Sequence, residues 1–355
     1  MRKLFYPFLA LFLVQFSACK TSTSESAAQG SNEAKVVHLA IWSNFVTDDI
    51  LQEFTKQTGI QVETANYSSN EELLAKMQAG ASGYDVIVPC DYLVLVMSNL
   101  GLLSEIDHAK IPNLKSIDAK YMKMYFDPEN KFSLPFDWGT TGIAVNRKLF
   151  KGKIQGWKDV FDNKALEGKY TLLDDARETL GAALKKDGFS LNSVNGGELG
   201  KAKQTLLGAK NHVKGFTSET LMGLVNGEMV VAHAYSSDAL QAAAKTNGAI
   251  EFVIPSEGAT YWVDNVAIPK EAPHKEAAHA LINFLLSPQV QAARASKLYV
   301  APVSKEAVAL LTPNVRSNRA LFPDQKTLSK TEMIKDLGAQ LTQWDRIWTE
   351  AKAAQ

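Results

Sequence analysis

The sequence predicts an α/β protein built on a largely parallel sheet. Three observations carry that reading. From residue 36 onward, β-type runs alternate with capped helical segments. The chain has 355 residues, about two ordinary domains' worth. Its composition, 46% hydrophobic and 21% charged, leaves room for a sizeable core.

The N-terminus reads as targeting segment and tether. Arg2 and Lys3 precede an apolar stretch from Leu4 to Phe16, too short to span a bilayer comfortably. Phe16-Ser17-Ala18-Cys19 has the pattern of a bacterial lipobox, with Phe16 where Leu is usual. We therefore expect residues 1–18 to be a signal peptide and Cys19 to become the lipidated first residue. An ordinary signal peptide cut nearby is the competing reading. Residues 19–35 are polar, lack core formers and read as a flexible tether. Removing residues 1–18 takes two basic side chains and moves the net charge from zero to near −2. Such a balance points to neither nucleic acid nor an anionic membrane surface. The two cysteines are Cys19 and Cys90. With Cys19 lipidated no intramolecular disulfide is possible, and the core alone must hold an exported fold.

Val36–Trp42 is the first β-type run. Thr47 can cap a helix from Asp48 to Thr58, with acids in its first turn and Gly59 just past its end. Ile60–Ala65 is the next strand. Ser69-Asn70-Glu71-Glu72 is a capping box opening a helix that stops at Gly80. Val86–Val88 is a third, fully apolar strand. This βαβαβ order predicts parallel pairing with right-handed crossovers. A second α/β region follows residue 140, with strands at Tyr170–Leu173 and Met229–His233 and a helix at Glu178–Lys185. Trp262–Ile268 and a helix over Lys275–Leu286 return to the first style of unit. An amphipathic helix from about Ile334 to Ala351 ends the chain.

Ligands of such sheets sit at the carboxyl ends of strands. That rule singles out Trp42-Ser43-Asn44-Phe45, Asn66-Tyr67-Ser68 and Cys90-Asp91-Tyr92. The segment Tyr261–Pro269 is the most telling. Alternate residues of a strand share a face, so Trp262 and Asp264 point the same way. An indole beside a carboxylate suits an organic cation. Buried without one, Asp264 would carry a heavy desolvation cost. Asp175 and Glu178 would share a helical face and repel each other unless a cation lay between them. The pair reads equally as a capping box, and a paired-carboxylate hydrolase is a further alternative, although a three-residue spacing fixes no such geometry. Trp42, Tyr92, Tyr235, Trp262 and Tyr299 fall at loop starts. Singly each reads first as core; together with Asp175, Glu178 and Asp264 they make an aromatic box with acidic ends.

Other chemistries find no support. His274 and His279 are five apart and do not share a helical face, so no metal site is expected. Gly196-Gly197-Glu198-Leu199-Gly200 lacks the Lys and Ser/Thr of a phosphate loop. Cys90 has no nearby His and reads as a buried thiol.

Several segments resemble the spermidine/putrescine-binding proteins of bacterial ABC importers. They are Trp42-Ser43, Tyr84–Pro89, Leu134–Asn146, Leu173–Glu178, Tyr261–Pro269, Leu281–Leu286 and Leu321–Asp324. The match runs in order from about residue 36 to the C-terminus. It implies a two-lobed periplasmic-binding-protein fold, each lobe a central mixed sheet flanked by helices, with a ligand cleft at the hinge. It places residues 36–140 plus 264–303 in lobe 1 and 141–263 plus 304–355 in lobe 2. By the same resemblance Trp42, Ser43, Phe45, Tyr92, Tyr235, Trp262 and Tyr299 wall the cleft, while Asp175, Glu178 and Asp264 hold ammonium groups. Tyr235 stands where the spermidine binders have a Trp. Four positions depart further from the family pattern: Asn44 replaces an acid, Phe45 a Tyr, Cys90 a small hydroxyl and Ile334 a late Gln. Asp91 and Asp137 are the carboxylates available to restore the lost charge.

The sequence thus predicts a non-enzymatic periplasmic solute-binding protein that delivers a linear polyamine to an ABC permease. The expected protein is a monomer, anchored through Cys19, with no cofactor, metal or nucleic-acid partner. The same scaffold could instead take another cationic amine or an amino acid.

Overall fold

The computed structural model describes residues 35–80 and 83–353. The expected signal peptide, Cys19 and all of the tether but Lys35 lie outside them. Strand β1 (Val36–Trp42) pairs in parallel with β2 (Gln61–Tyr67) and β3 (Val86–Ile87), as the βαβαβ pattern predicts. The helix Asp48–Thr58 joins the first two strands and buries Ile50 and Phe54. It ends where Gly59 takes φ 75°, a left-handed turn that costs glycine little. Thr47 is its N-cap residue, yet the hydroxyl makes no capping bond. Ser69 does cap the helix Asn70–Gln78, its Oγ accepting from the Glu72 N–H at 3.1 Å. Glu72 reaches back to the Ser68 N–H at 2.9 Å.

The remaining strands, in chain order, are β4 (Ser133–Asn146), β5 (Tyr170–Leu172), β6 (Val213–Phe216), β7 (Val231–Tyr235), β8 (Ile250–Val253), β9 (Tyr261–Ala267) and β10 (Ala301–Pro302). The spatial order is β2-β1-β3-β9-β4-β7-β5-β6, with β8 and β10 also paired to β4. The sheet is therefore mixed. Pairing is parallel at its two ends and antiparallel wherever β4 or β9 takes part.

β4 explains the two-lobed architecture. All 14 of its residues are buried. From Ser133 to Thr140 it pairs with β9; from Thr141 it pairs with β7, and from Ile143 also with β8. One continuous strand thus serves two halves. The first has a core around Leu39, Phe54, Val86, Phe136 and Leu281. The second has a core around Val145, Leu172, Leu180, Val231 and Trp344.

β4 changes partners at Thr140/Thr141. The return comes at Tyr261 rather than residue 264, because the whole of β9 is zipped onto the first half of β4. The last passage comes well after residue 304. The helix Lys305–Leu310 packs on Pro288–Leu298 through Ala292, Ala295, Ala307 and Leu311, and Leu321 joins the first core. Met333 packs on the first core and Leu337 on the second, while Glu332 already pairs with Lys185 of the second half. The final helix is Leu341–Ala353, starting later than Ile334 because that residue is buried among first-lobe side chains and Gly338 breaks the run at φ 51°.

Candidate functional site

The two lobes meet around a cavity lined from both sides. The carboxyl ends of β1 and β2 bring Trp42 and Tyr67 to it, and the loop after β3 brings Cys90, Asp91 and Tyr92. The second lobe supplies Asp175 and Glu178 after β5 and Tyr235 at the end of β7. β9 presents Trp262 and Asp264 from one face, as its alternation requires.

The walls are aromatic. The Trp42 and Tyr67 rings lie 4.6 Å apart at 59°, and the Tyr235 ring meets Trp262 edge-on at 6.4 Å. The Phe45 ring also lies 6.3 Å from that of Trp262. The indole of Trp262 lies so close to β4 that a Cβ on Gly139 would sit 2.3 Å from its ring. Glycine at 139 therefore makes room for that wall. The Nε1 atoms of both Trp42 and Trp262 are buried without a hydrogen-bond partner among the described residues.

The floor is acidic. Among the described residues lining the cavity, six are carboxylates (Asp91, Asp175, Glu178, Glu219, Asp238 and Asp264) and none is Lys, Arg or His. Asp175 is the N-cap of the helix Ala176–Lys186, one oxygen accepting from the Arg177 and Glu178 N–H groups at 2.8 and 2.9 Å. The capping reading of Asp175 therefore holds and does not exclude a ligand role, since its second oxygen is not needed for the cap. Glu178 accepts from Thr141 Oγ1 at 2.9 Å and from Thr260 Oγ1 at 2.7 Å. Asp91 accepts from the N–H groups of Tyr92 at 2.7 Å and Val263 at 3.3 Å. Asp238 accepts from Thr220 Oγ1 at 3.0 Å.

These donors do not offset desolvation. Burial pushes Glu178 up to about 8, with Asp175 adding like-charge repulsion. Burial likewise raises Asp91 and Asp238 to about 7. Asp175 is raised by burial, and Asp264 well raised by burial and by the nearby Asp137 and Asp91. A buried cluster of this kind must hold protons or meet a cation.

The nearest guanidinium groups are committed elsewhere. Arg177 donates to the Lys335 carbonyl at 2.9 Å and to Asn192 Oδ1 at 3.1 Å. Arg294 pairs with Asp137 at 2.6 Å, donates to the Phe45 carbonyl and stacks 3.7 Å from the Phe136 ring centre. Asp137 is thus spent in a buried ion pair and does not restore charge to the cleft; Asp91 does line it.

Nine of the ten expected ligand residues line the cavity: Trp42, Ser43, Phe45, Tyr92, Asp175, Glu178, Tyr235, Trp262 and Asp264. Tyr299 does not. It ends the helix Pro288–Leu298 in the left-handed conformation, φ 53°, and packs on the first core. Ile334 lines the cavity as well. Ser218, Glu219, Ser237, Asp238 and Thr260 were not expected there. The strand-end rule could have found most of them, since they follow β6 and β7 directly.

Residues 49–323 match the family described as bacterial extracellular solute-binding protein. The spermidine/putrescine-binding periplasmic protein 1 of Haemophilus influenzae is 34% identical over 348 residues, 95% of each chain. The putrescine/cadaverine-binding protein of Pseudomonas aeruginosa is 33% identical, covering 93% of this chain and 97% of its own. A solved Listeria monocytogenes structure, described as a spermidine/putrescine ABC transporter, superposes with TM-score 0.85 at 31% identity, over 91% of this chain and all of its own. A buried acid-and-indole cleft between two lobes, on a chain that matches along nearly its whole length, belongs to the bacterial extracellular solute-binding protein family, and so does this protein.

Proposed function

We propose that the protein captures a linear polyamine outside the cytoplasm and presents it to an ABC permease. The observation that carries this reading is the cleft's charge: six carboxylates between aromatic walls, with no basic side chain among the described lining residues. Asp175, Glu178 and Asp264 hold ammonium groups, while Trp42, Tyr235 and Trp262 pack the methylenes. Each charge-assisted bond contributes roughly 1.5–3 kcal/mol and each cation–aromatic contact about 0.5–2 kcal/mol. Less the cost of ordering and lobe closure, a few of each support affinity of order micromolar. No chemical step is involved, and the closed form is the one that docks. The names of the relatives support the ligand class.

An amino acid is a poorer occupant, because its carboxylate would meet this acidic floor without a counter-charge. A hydrolase on Asp175 and Glu178 is also disfavoured, because Glu178 is held by two threonine hydroxyls and Asp175 caps its helix. Calorimetry on the mature chain with putrescine, cadaverine, spermidine, spermine, agmatine and amino acids tests the reading. Saturable heat from at least one polyamine is expected. Silence from all of them, with an amino acid binding instead, would overturn it. We also read Cys19 as the lipid attachment site and the protein as a monomer. Cys19→Ala should release the protein from membranes, and light scattering should return one chain's mass.

A further inference from the structure

We propose that His38, Asp85 and His274 form a zinc site on the first lobe, at the end of the sheet remote from the cleft. His38 lies on β1 four residues before Trp42, roughly 13 Å along the strand from the cavity wall. Asp85 immediately precedes β3, and His274 is the N-cap residue of the helix Lys275–Leu285.

The donor geometry fits a tetrahedral ion. His38 Nδ1 stands 3.3 Å from Asp85 Oδ2, and His274 Nδ1 stands 3.1 Å from the same oxygen. All three ligand atoms lie within 4.8 Å of one another. Zinc bonded at 2.0–2.2 Å in a tetrahedron separates its ligand atoms by about 3.3–3.6 Å. The set therefore needs little movement to close on the ion.

The surroundings fix the ligands. Asp85 is fully buried, Oδ2 accepting from the His38 N–H at 2.8 Å and Oδ1 from the His274 N–H at 2.7 Å. On the far side of the His38 ring, Nε2 lies 3.4 Å from Glu63 Oε2. With a metal on Nδ1, that carboxylate would hold the proton on Nε2 and orient the ring. Both histidine side chains are about one-third exposed, 35% and 34%, so a fourth position opens to water. Two imidazoles and one carboxylate select a borderline ion such as zinc over calcium or magnesium, which prefer all-oxygen sets. The sequence reading paired His274 with His279 and found no site; its partners come from residues 38 and 85, distant in the chain. The ion would tie β1, the start of β3 and a helix start into one unit.

Tag-free mature protein titrated with zinc against a chromophoric chelator tests this. One equivalent should bind, the melting temperature should rise, and putrescine affinity should stay unchanged. Cobalt should give the visible absorption of a tetrahedral site. His38→Gln and His274→Gln should each lose at least tenfold in zinc affinity, and Glu63→Gln 10- to 100-fold. Absence of stoichiometric binding would overturn the proposal. So would zinc binding that survives in the folded His38→Gln/His274→Gln double variant, or that putrescine displaces from the cleft acids.

Discussion

Polyamine binding should release protons. With Glu178 at about 8 and Asp91 and Asp238 at about 7, these three groups together hold roughly two protons at pH 7 in the ligand-free cleft. Ammonium groups, with ordinary values near 10.4, arrive fully charged at that pH. Their field makes the carboxylates ionise, so each bound ligand should expel about one to two protons. Linkage then requires the affinity to tighten as pH rises, at least about tenfold between pH 6 and 8. The stability of the empty protein runs the other way. The folded state holds these protons more tightly than the unfolded chain does. Ligand-free stability should therefore fall as pH rises from the ordinary carboxyl range through about 8, and saturating putrescine should reverse the fall.

Calorimetry at pH 7 in phosphate and in Tris measures the released protons directly, because the two buffers take up a proton with different heats. The apparent enthalpies should differ by one to two times the difference in buffer ionisation enthalpy. Glu178→Gln should remove close to one proton from that number, since Glu178 is almost fully protonated at pH 7 before binding. Equal heats in both buffers, with a dissociation constant flat from pH 6 to 8, would refute the picture of a buried, uncompensated acidic floor.

Four further outcomes follow from the same geometry. Asp264→Asn should weaken every diamine and polyamine roughly 10- to 150-fold by calorimetry, the loss of one charge-assisted bond, while the empty variant melts no lower than the parent because Asp264 crowds Asp137 and Asp91. Gly139→Ala should displace the Trp262 indole that lies 2.3 Å from the new Cβ, costing roughly 2- to 30-fold in affinity and quenching or shifting tryptophan fluorescence. Ile334→Gln should raise the spermidine-to-putrescine affinity ratio by about 2- to 10-fold, one neutral hydrogen bond's worth, because residue 334 lines the cavity. Arg294→Met should destabilise the fold by about 3–5 kcal/mol in urea titrations by leaving Asp137 buried and unpaired, with Arg294→Met/Asp137→Leu recovering much of it.

Local rules made the first lobe legible and long-range pairing hid the rest. The βαβαβ opening follows from caps and periodicity that reside within a few residues of each element, and it appears as predicted from Val36 to Ile87. What no window reveals is that β4 changes partners at Thr141, since that depends on strands 90 to 120 residues away. The last passage between halves is hidden for the same reason: the helix Lys305–Leu310 carries no local mark of where Ala307 will be buried. At the site, Trp262 and Asp264 were legible because strand alternation fixes their shared face. Tyr299 stands off the cavity lining because a left-handed residue after a helix turns the chain, and sequence gives little warning when that residue is not glycine. Asp137 illustrates the converse. A carboxylate beside the cleft motif looked available, but its function depends on Arg294, 157 residues on, which neutralises it. Among the described residues the cleft acids form no ion pair of that kind, although Arg177 favours the charged forms of Asp91 and Asp175 and Arg294 that of Asp264. Two buried carboxylates on paired strands thus differ, Asp137 ion-paired with Arg294 and Asp264 not, and that difference supports the proposal that Asp264 meets a ligand's charge.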